Sequence, residues 1–514
     1  MKNYIKYISV LAIGFGFVAC EPEFDNPIDE NEFYTSGEAD FSNYVSIGNS
    51  LTAGFADGTL YITGQEDSYP NIMAEQFSLA GGGTFTQPLM NDNIGGLLLG
   101  GNPIPGFNPR FVLATDEQGN PGPAIINQTP TTEVSNILSG PFNNVGVPGA
   151  RSFDLLFPGY GNIGGLTTMP VSANPYFVRF ASSPDATVIG DAVSQNPSFF
   201  SLWIGNNDIL GYATSGGSGV DQTGNFDPST YGGSDITDPM VFAGAYSQMV
   251  DALVANGSDG VLVNIPDVTS IPFFTTVPTQ SIPLDAPTAA FLNSNFALYN
   301  DVVLPTLVNF GVITAEEAAS RAINFEEGVN FPIITDDDLT DVSAILQGPP
   351  ANLDPATANL LGQLRQANGN DILPLTAAGI LGTTINNDPT LINGVSVPLA
   401  DQFVLTTAEQ ARVTVAQNAY NTTIQALAAA NGLAFADARS ALQQVANGGV
   451  TFNGGTLTST FVTGGGFSLD GVHPTPRGYA FTANVLLDAI NARYGSNIPG
   501  VDIGNFATVT ISND

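Results

Sequence analysis

Tyr44-Val45-Ser46-Ile47-Gly48-Asn49-Ser50-Leu51 reads as a short apolar strand that ends in a turn carrying a serine. Four further runs have the same character: Asn144 to Val147, Phe199 to Ile204, Gly260 to Ile265, and Leu433 to Ala436. Each is short and flanked by turn residues, which suits a parallel sheet buried on both faces. Between them, apolar spacing predicts helices over 69–80, 241–256, 407–430 and 476–494, the last with Pro476 in its first turn. Strands alternating with helices define an α/β fold with a central parallel sheet of about five strands.

Three stretches stand outside this alternation. Residues 81–140 are rich in Gly, Pro and Asn, and 211–238 form a polar loop. Residues 275–402 hold about three short helices, including 286–308, with Pro-rich connectors. Stretches this long are functional or separately structured. They are expected to be insertions over one α/β domain spanning 43–505, forming walls or a lid, or else a binding surface unrelated to catalysis.

The first twenty residues, MKNYIKYISVLAIGFGFVAC, carry a charged start at Lys2 and Lys6 and an apolar stretch too short to span a membrane. Phe17-Val18-Ala19-Cys20 resembles a bacterial lipobox, which implies a signal peptide over 1–20 and lipidation of Cys20, the chain's single cysteine. One cysteine excludes an internal disulfide framework. Residues 21–42 hold eight acids and no base and read as a solvated tether. The expected location is the cell envelope, on an outer-membrane lipoprotein facing either the periplasm or the exterior.

The net charge is −36, and every basic residue after Cys20 is an arginine. That charge argues against nucleic-acid binding and against electrostatic docking on anionic lipid. No phosphate-binding glycine loop, zinc-ligand set or nucleotide fingerprint stands out, so neither cofactor nor metal is expected. Asp336-Asp337-Asp338 with Asp341 offers calcium-type ligands without EF-hand spacing and reads as a solvated acidic loop.

Four motifs carry chemistry. Ser50 follows the first strand, at the sheet edge where open α/β folds place ligands and where a helix N-terminus favours negative charge. Gly149, in Val147-Pro148-Gly149-Ala150, can present an unobstructed backbone N–H. In Gly205-Asn206-Asn207-Asp208, the Asn207 amide can donate to an oxyanion. In Asp470-Gly471-Val472-His473-Pro474, the only histidine of the chain has an acid three residues before it. A serine hydroxyl needs a base to become a nucleophile, and an acid that accepts from Nδ1–H leaves Nε2 free for the serine.

Taken in order, Ser50, Gly149, Asn207 and Asp470 with His473 resemble the four blocks of the SGNH family of GDSL-type hydrolases. The resemblance covers 43–80, 143–208, 241–270 and 405–495. It implies a flavodoxin-like three-layer α/β/α fold and a catalytic triad of Ser50, His473 and Asp470. It further implies an oxyanion hole built from Ser50, Gly149 and Asn207. Two departures stand out: Asn49 replaces the family's usual Asp, and the gaps from Ser50 to Gly149 and from Asn207 to Asp470 are long. The implied activity is ester hydrolysis through an acyl-enzyme, on a lipid or an acylated glycan outside the cytoplasm. The alternative is a non-catalytic surface lipoprotein that binds glycan or lipid on the same scaffold. A lipase would use an apolar groove under the 275–402 insertion, and Ser270-Ile271-Pro272-Phe273-Phe274 is read either as a cleft lining or as core.

Overall fold

The five apolar runs pair into one parallel sheet. In the computed structural model, which describes residues 33–512 apart from 118 and 350, these strands are β1 (Tyr44–Gly48), β2 (Asn144–Gly146), β3 (Phe199–Trp203), β4 (Asp259–Val263) and β5 (Ala434–Ala436). Their order across the sheet is β2-β1-β3-β4-β5. Ile47 of β1 lies opposite Val145 of β2 and Leu202 of β3. The signal peptide, Cys20 and the tether as far as residue 32 lie outside the described residues.

Strand side chains alternate between faces. Val45, Ile47, Phe200, Leu202 and Leu262 enter one apolar cluster with helices α3 (Val188–Val193), α5 (Pro239–Val254) and α6 (Thr407–Asn431). Tyr44, Phe199, Trp203, Val261 and Val263 enter a second with α2 (Tyr69–Ser78), α7 (Ala438–Asn447) and α8 (Pro476–Tyr494). Both faces are therefore covered, which is why the strands are apolar almost throughout. Each large side chain taken fully out of water contributes about 1.5–3 kcal/mol. Hydroxyls are tolerated where they satisfy one another: Ser201 Oγ lies 2.8 Å from both Tyr44 Oη and Ser46 Oγ.

Local signals set the element ends. Asp238 accepts from Met240 and Val241 N–H at the start of α5, and Thr406 with Glu409 closes a capping box on α6. These five strands and the four predicted core helices end within two residues of the limits expected from the sequence. The helix expected over 286–308 is instead Ala286–Leu298, a π-helical turn Tyr299–Val303, and Leu304–Asn309. Pro305 lacks the N–H that would continue the regular ladder.

Part of the expected tether is docked. Thr35 N–H donates to Asn497 Oδ1 and Glu38 N–H to Tyr494 O, while Phe41 is buried and stacks on Phe77 at 4.0 Å. The acidic composition of 21–42 conceals two apolar anchors, Ala39 and Phe41.

The insertions have structure of their own. Residues 81–140 carry two short hairpins, and Met90, Leu97 and Val134 join Leu60 and Tyr176 in a small cluster. The 275–402 stretch buries Ile282, Leu292, Tyr299, Leu307, Ile333 and Leu364 in a separate core. Among the described residues, no helix is long and apolar enough to cross a membrane.

Candidate active site

Parallel strands deliver their following loops to one edge. The turn after β1 leads into α1 (Ser50–Ala53), the turn after β2 holds Gly149, and the turn after β3 leads into α4 (Asn207–Thr214). β1 sits between β2 and β3, so the chain leaves it towards both sides and a crevice opens at this switch point. Ser50 is the first residue of α1, where its backbone N–H has no intrahelical acceptor.

His473 approaches from the loop before α8. Its Nε2 lies 2.9 Å from Ser50 Oγ, and its Nδ1 lies 2.8 Å from Asp470 Oδ2. Ser50 is 7% exposed and lines an open cavity, so a small group can reach it. The Phe55 ring packs at 4.6 Å from the imidazole and limits its tilt.

Asp470 is held from several directions. Its Oδ1 accepts from Val472 N–H, His473 N–H and Ser468 Oγ, and its Oδ2 also accepts from Gly58 N–H. Burial pushes its pKa up, but the facing His473 and these donors outweigh burial and hold it down at about 2. It is therefore a carboxylate at neutral pH, as an imidazole-orienting group must be.

Asn49 caps α1 by accepting from Leu51 N–H, and its amide donates to Asn206 Oδ1 at 3.2 Å. Asn at this position thus ties the Ser50 turn to the turn after β3. Asn207 uses one amide N–H on Ala150 O at 2.9 Å, which leaves its second for a ligand and fixes its orientation. Gly149 has φ +82°, a left-handed conformation that disfavours a side chain. Asp208 steadies this turn by accepting from Ser152 N–H and Ser152 Oγ.

Two cavities meet at Asn207. Ser50, Asn207 and His473 open on an apolar pocket of about 110 Å³ walled by Leu51, Leu442, Val445, Phe467, Phe481 and Val485. Gly149 and Asn207 open on a wider groove of about 1060 Å³ with Arg151, Phe226, Asp227 and Tyr231. Residues 275–402 contribute to neither lining. The groove expected under that insertion lies instead against α7 and α8, and the part of the insertions that walls the site is 211–238. Ile271 lines the apolar pocket, Phe274 is core, and Phe273 N–H donates to Gly471 O behind the His473 loop.

The structure brings Ser50, Gly149, Asn207, Asp470 and His473 to one edge; Cys20 lies outside the described residues. Of the four aspartates at 336–341, Asp336, Asp337 and Asp338 bring carboxylate oxygens within 4.8 Å of one another and Asp341 stands apart, but the run is not a free acidic loop. Asp336 pairs with Arg365, Asp338 with Arg412, and Asp341 accepts from Ser343 N–H. Sequence reading missed Asp57, which accepts from Leu469 N–H, and the role of Asp208. Asp57-Gly58 carries only an ordinary turn signal. No family model, curated relative or solved structure matches the chain.

Proposed function

We propose that the chain is a serine ester hydrolase of the SGNH type on a flavodoxin-like scaffold, acting outside the cytoplasm and anchored through lipidated Cys20. The observation that carries this reading is the continuous contact Ser50 Oγ, His473 Nε2, His473 Nδ1, Asp470 Oδ2. The strand order β2-β1-β3-β4-β5 supports a flavodoxin-like scaffold, with Ser50 beside its switch point.

In the proposed reaction Ser50 Oγ attacks the ester carbonyl as His473 Nε2 takes its proton. Asp470 stabilises the imidazolium without itself taking the proton. The Ser50 and Gly149 N–H groups and the free Asn207 amide N–H receive the oxyanion, each such donor contributing about 2.7–4 kcal/mol. His473 then returns the proton to the leaving alcohol. Water repeats the sequence on the acyl-enzyme, releasing the acid and restoring Ser50.

The two cavities favour an acyl chain on one side and a polar alcohol on the other. A pocket walled by leucine, valine and phenylalanine gains free energy with each methylene buried, about 0.8 kcal/mol apiece. An acetyl group would leave most of it unfilled. The groove with Arg151, Asp227 and Tyr231 suits a hydroxylated leaving group.

The test is a series of p-nitrophenyl esters of increasing chain length alongside acetylated sugars. kcat/KM should rise from acetyl to medium chains. A sharp limit at acetyl would move the substrate to acylated glycans. Inertness on the whole panel, with retention of a glycan or lipid, would replace the enzyme reading by the binding one.

A further inference from the structure

Glu409 carries a group that catalysis does not use. It stands in the first turn of α6 and is fully buried. Its Oε2 accepts from Thr406 N–H at 2.6 Å to complete the capping box. Its Oε1 is buried with no hydrogen-bond partner among the described residues. Gly217, with φ +80°, lies directly against this carboxylate, where any side chain would collide with it. Asp401, at the close of the 275–402 insertion, likewise has Oδ1 buried and unpartnered.

These two are joined by Asp337. One carboxylate oxygen from each of Asp337, Asp401 and Glu409 lies within 4.8 Å of the others. They come from three separate segments: the loop after Ile333–Thr335, the turn Asp401–Phe403, and α6. The nearest arginines are engaged elsewhere. Arg365 holds Asp336 and Asp371, and Arg412 holds Asp338 and the Tyr212 hydroxyl.

Three carboxylates converging without a cation is unfavourable, and unpartnered buried oxygens add a desolvation cost. A hard cation ligated by oxygens removes both penalties. Calcium takes oxygen ligands at about 2.3–2.6 Å, so two oxygens on one ion lie within about 5 Å of each other. The three carboxylate oxygens lie within 4.8 Å of one another, inside that span. The donor set is all oxygen, which suits calcium and not zinc. We propose that Asp337, Asp401 and Glu409 form a calcium site that clamps the 275–402 insertion to α6.

This site is structural and independent of the ester-hydrolase reading, since none of its carboxylates lines the pocket or groove at Ser50. Its test is calorimetric titration of chelator-treated protein with calcium chloride, together with thermal melting in calcium, in magnesium and in chelator. The expected result is saturable binding and a higher Tm in calcium. Asp401→Asn and Glu409→Gln should each lose that rise, whereas Asp341→Asn, which alters only a cap at Ser343, should keep it. In chelator, Asp401→Asn should melt at or above wild type because one repelling charge is gone; a carboxylate kept only for packing would lower it. Equal wild-type Tm in calcium and chelator, or a larger rise with magnesium than with calcium, would overturn the proposal.

Discussion

Asp57 Oδ1 accepts the backbone N–H of Leu469 at 3.0 Å, joining the turn after α1 to the loop that carries Asp470 and His473. Asp57 N–H donates to Ser468 Oγ, which in turn donates to Asp470 Oδ1. Tyr61 Oη donates to Asp57 Oδ2. Asp57 is buried and held at φ +52°, so this turn is over-determined by its partners. Ser50 and His473 come from opposite ends of the chain, and Asp57 bridges the two segments.

Asp57→Ala should therefore lower kcat more than it raises KM. Misplacement of a catalytic group by about 1 Å costs on the order of 10²-fold. Stability should fall by about 1–3 kcal/mol from the abandoned partners. Steady-state kinetics on a short-chain ester with a urea melt checks both, and an unchanged kcat in the folded variant would remove Asp57 from any positioning role.

The pH dependence of stability has a defined sign. Burial pushes Asp57 up to about 6 against the Leu469 and Tyr61 donors, with Asp470 adding to the rise and Arg110 opposing it. Burial likewise raises Asp208 to about 6 against its Ser152 partners. An acid raised in the fold keeps its proton there when the unfolded chain has lost it. Its contribution is full below about pH 4 and is lost as pH rises through about 6, with about 1.4 kcal/mol for each tenfold difference in proton affinity between the folded and unfolded chain. Asp470 runs the other way: held at about 2, it stabilises above about pH 4, and that stability disappears as pH falls towards 2. Urea midpoints measured across this range should decline from mildly acidic to neutral pH, and less steeply in Asp208→Asn. Identical slopes in the two proteins would contradict this assignment.

Asn49→Asp introduces the acid usual in the resembled family. A carboxylate would face Asn206 Oδ1, so the Asn206 amide must rotate to present its nitrogen. The single variant should stay folded and active, whereas Asn49→Asp with Asn206→Asp places two carboxylates together and should lose much of both. A double-mutant cycle read by melting temperature measures the coupling; additivity would show that the Asn49–Asn206 contact does not link the two turns.

Filling the apolar pocket should change chain-length preference rather than chemistry. Val485→Trp projects a large ring beside Phe481, so kcat/KM should fall for medium-chain esters and remain close to wild type for acetyl esters. Equal losses across the series would mean that the acyl group binds elsewhere.

Much of this architecture is legible in the amino-acid sequence alone. The strands are apolar because both faces are covered, and runs such as Tyr44–Gly48 and Phe199–Trp203 declare that directly. Ser50, Gly149, Asn207, Asp470 and His473 are legible only as an ordered set that resembles the SGNH blocks, since the serine, glycine and asparagine turns are ordinary when read alone. Asp57, Asp208 and the Asn49–Asn206 pair are not, because their partners lie far away in sequence and turn acids are common. The position of the 275–402 insertion is also hidden. Its apolar residues pack on one another in a separate core, so composition carries no sign of which face of the domain it leaves open. Residues 33–42 mislead for a simpler reason: their charge outweighs two apolar anchors in any average.

A Ser50 nucleophile activated by His473 should take a covalent adduct. The most direct measurement is mass spectrometry of the protein after a fluorophosphonate or a slow ester substrate, with peptide mapping, in wild type, Ser50→Ala and His473→Ala. One adduct is expected on the peptide carrying Ser50, none in Ser50→Ala, and strongly slowed labelling in His473→Ala, with turnover in both variants down by about 10⁴-fold or more. Wild-type-like turnover by folded Ser50→Ala, or an adduct on a different residue, would contradict it.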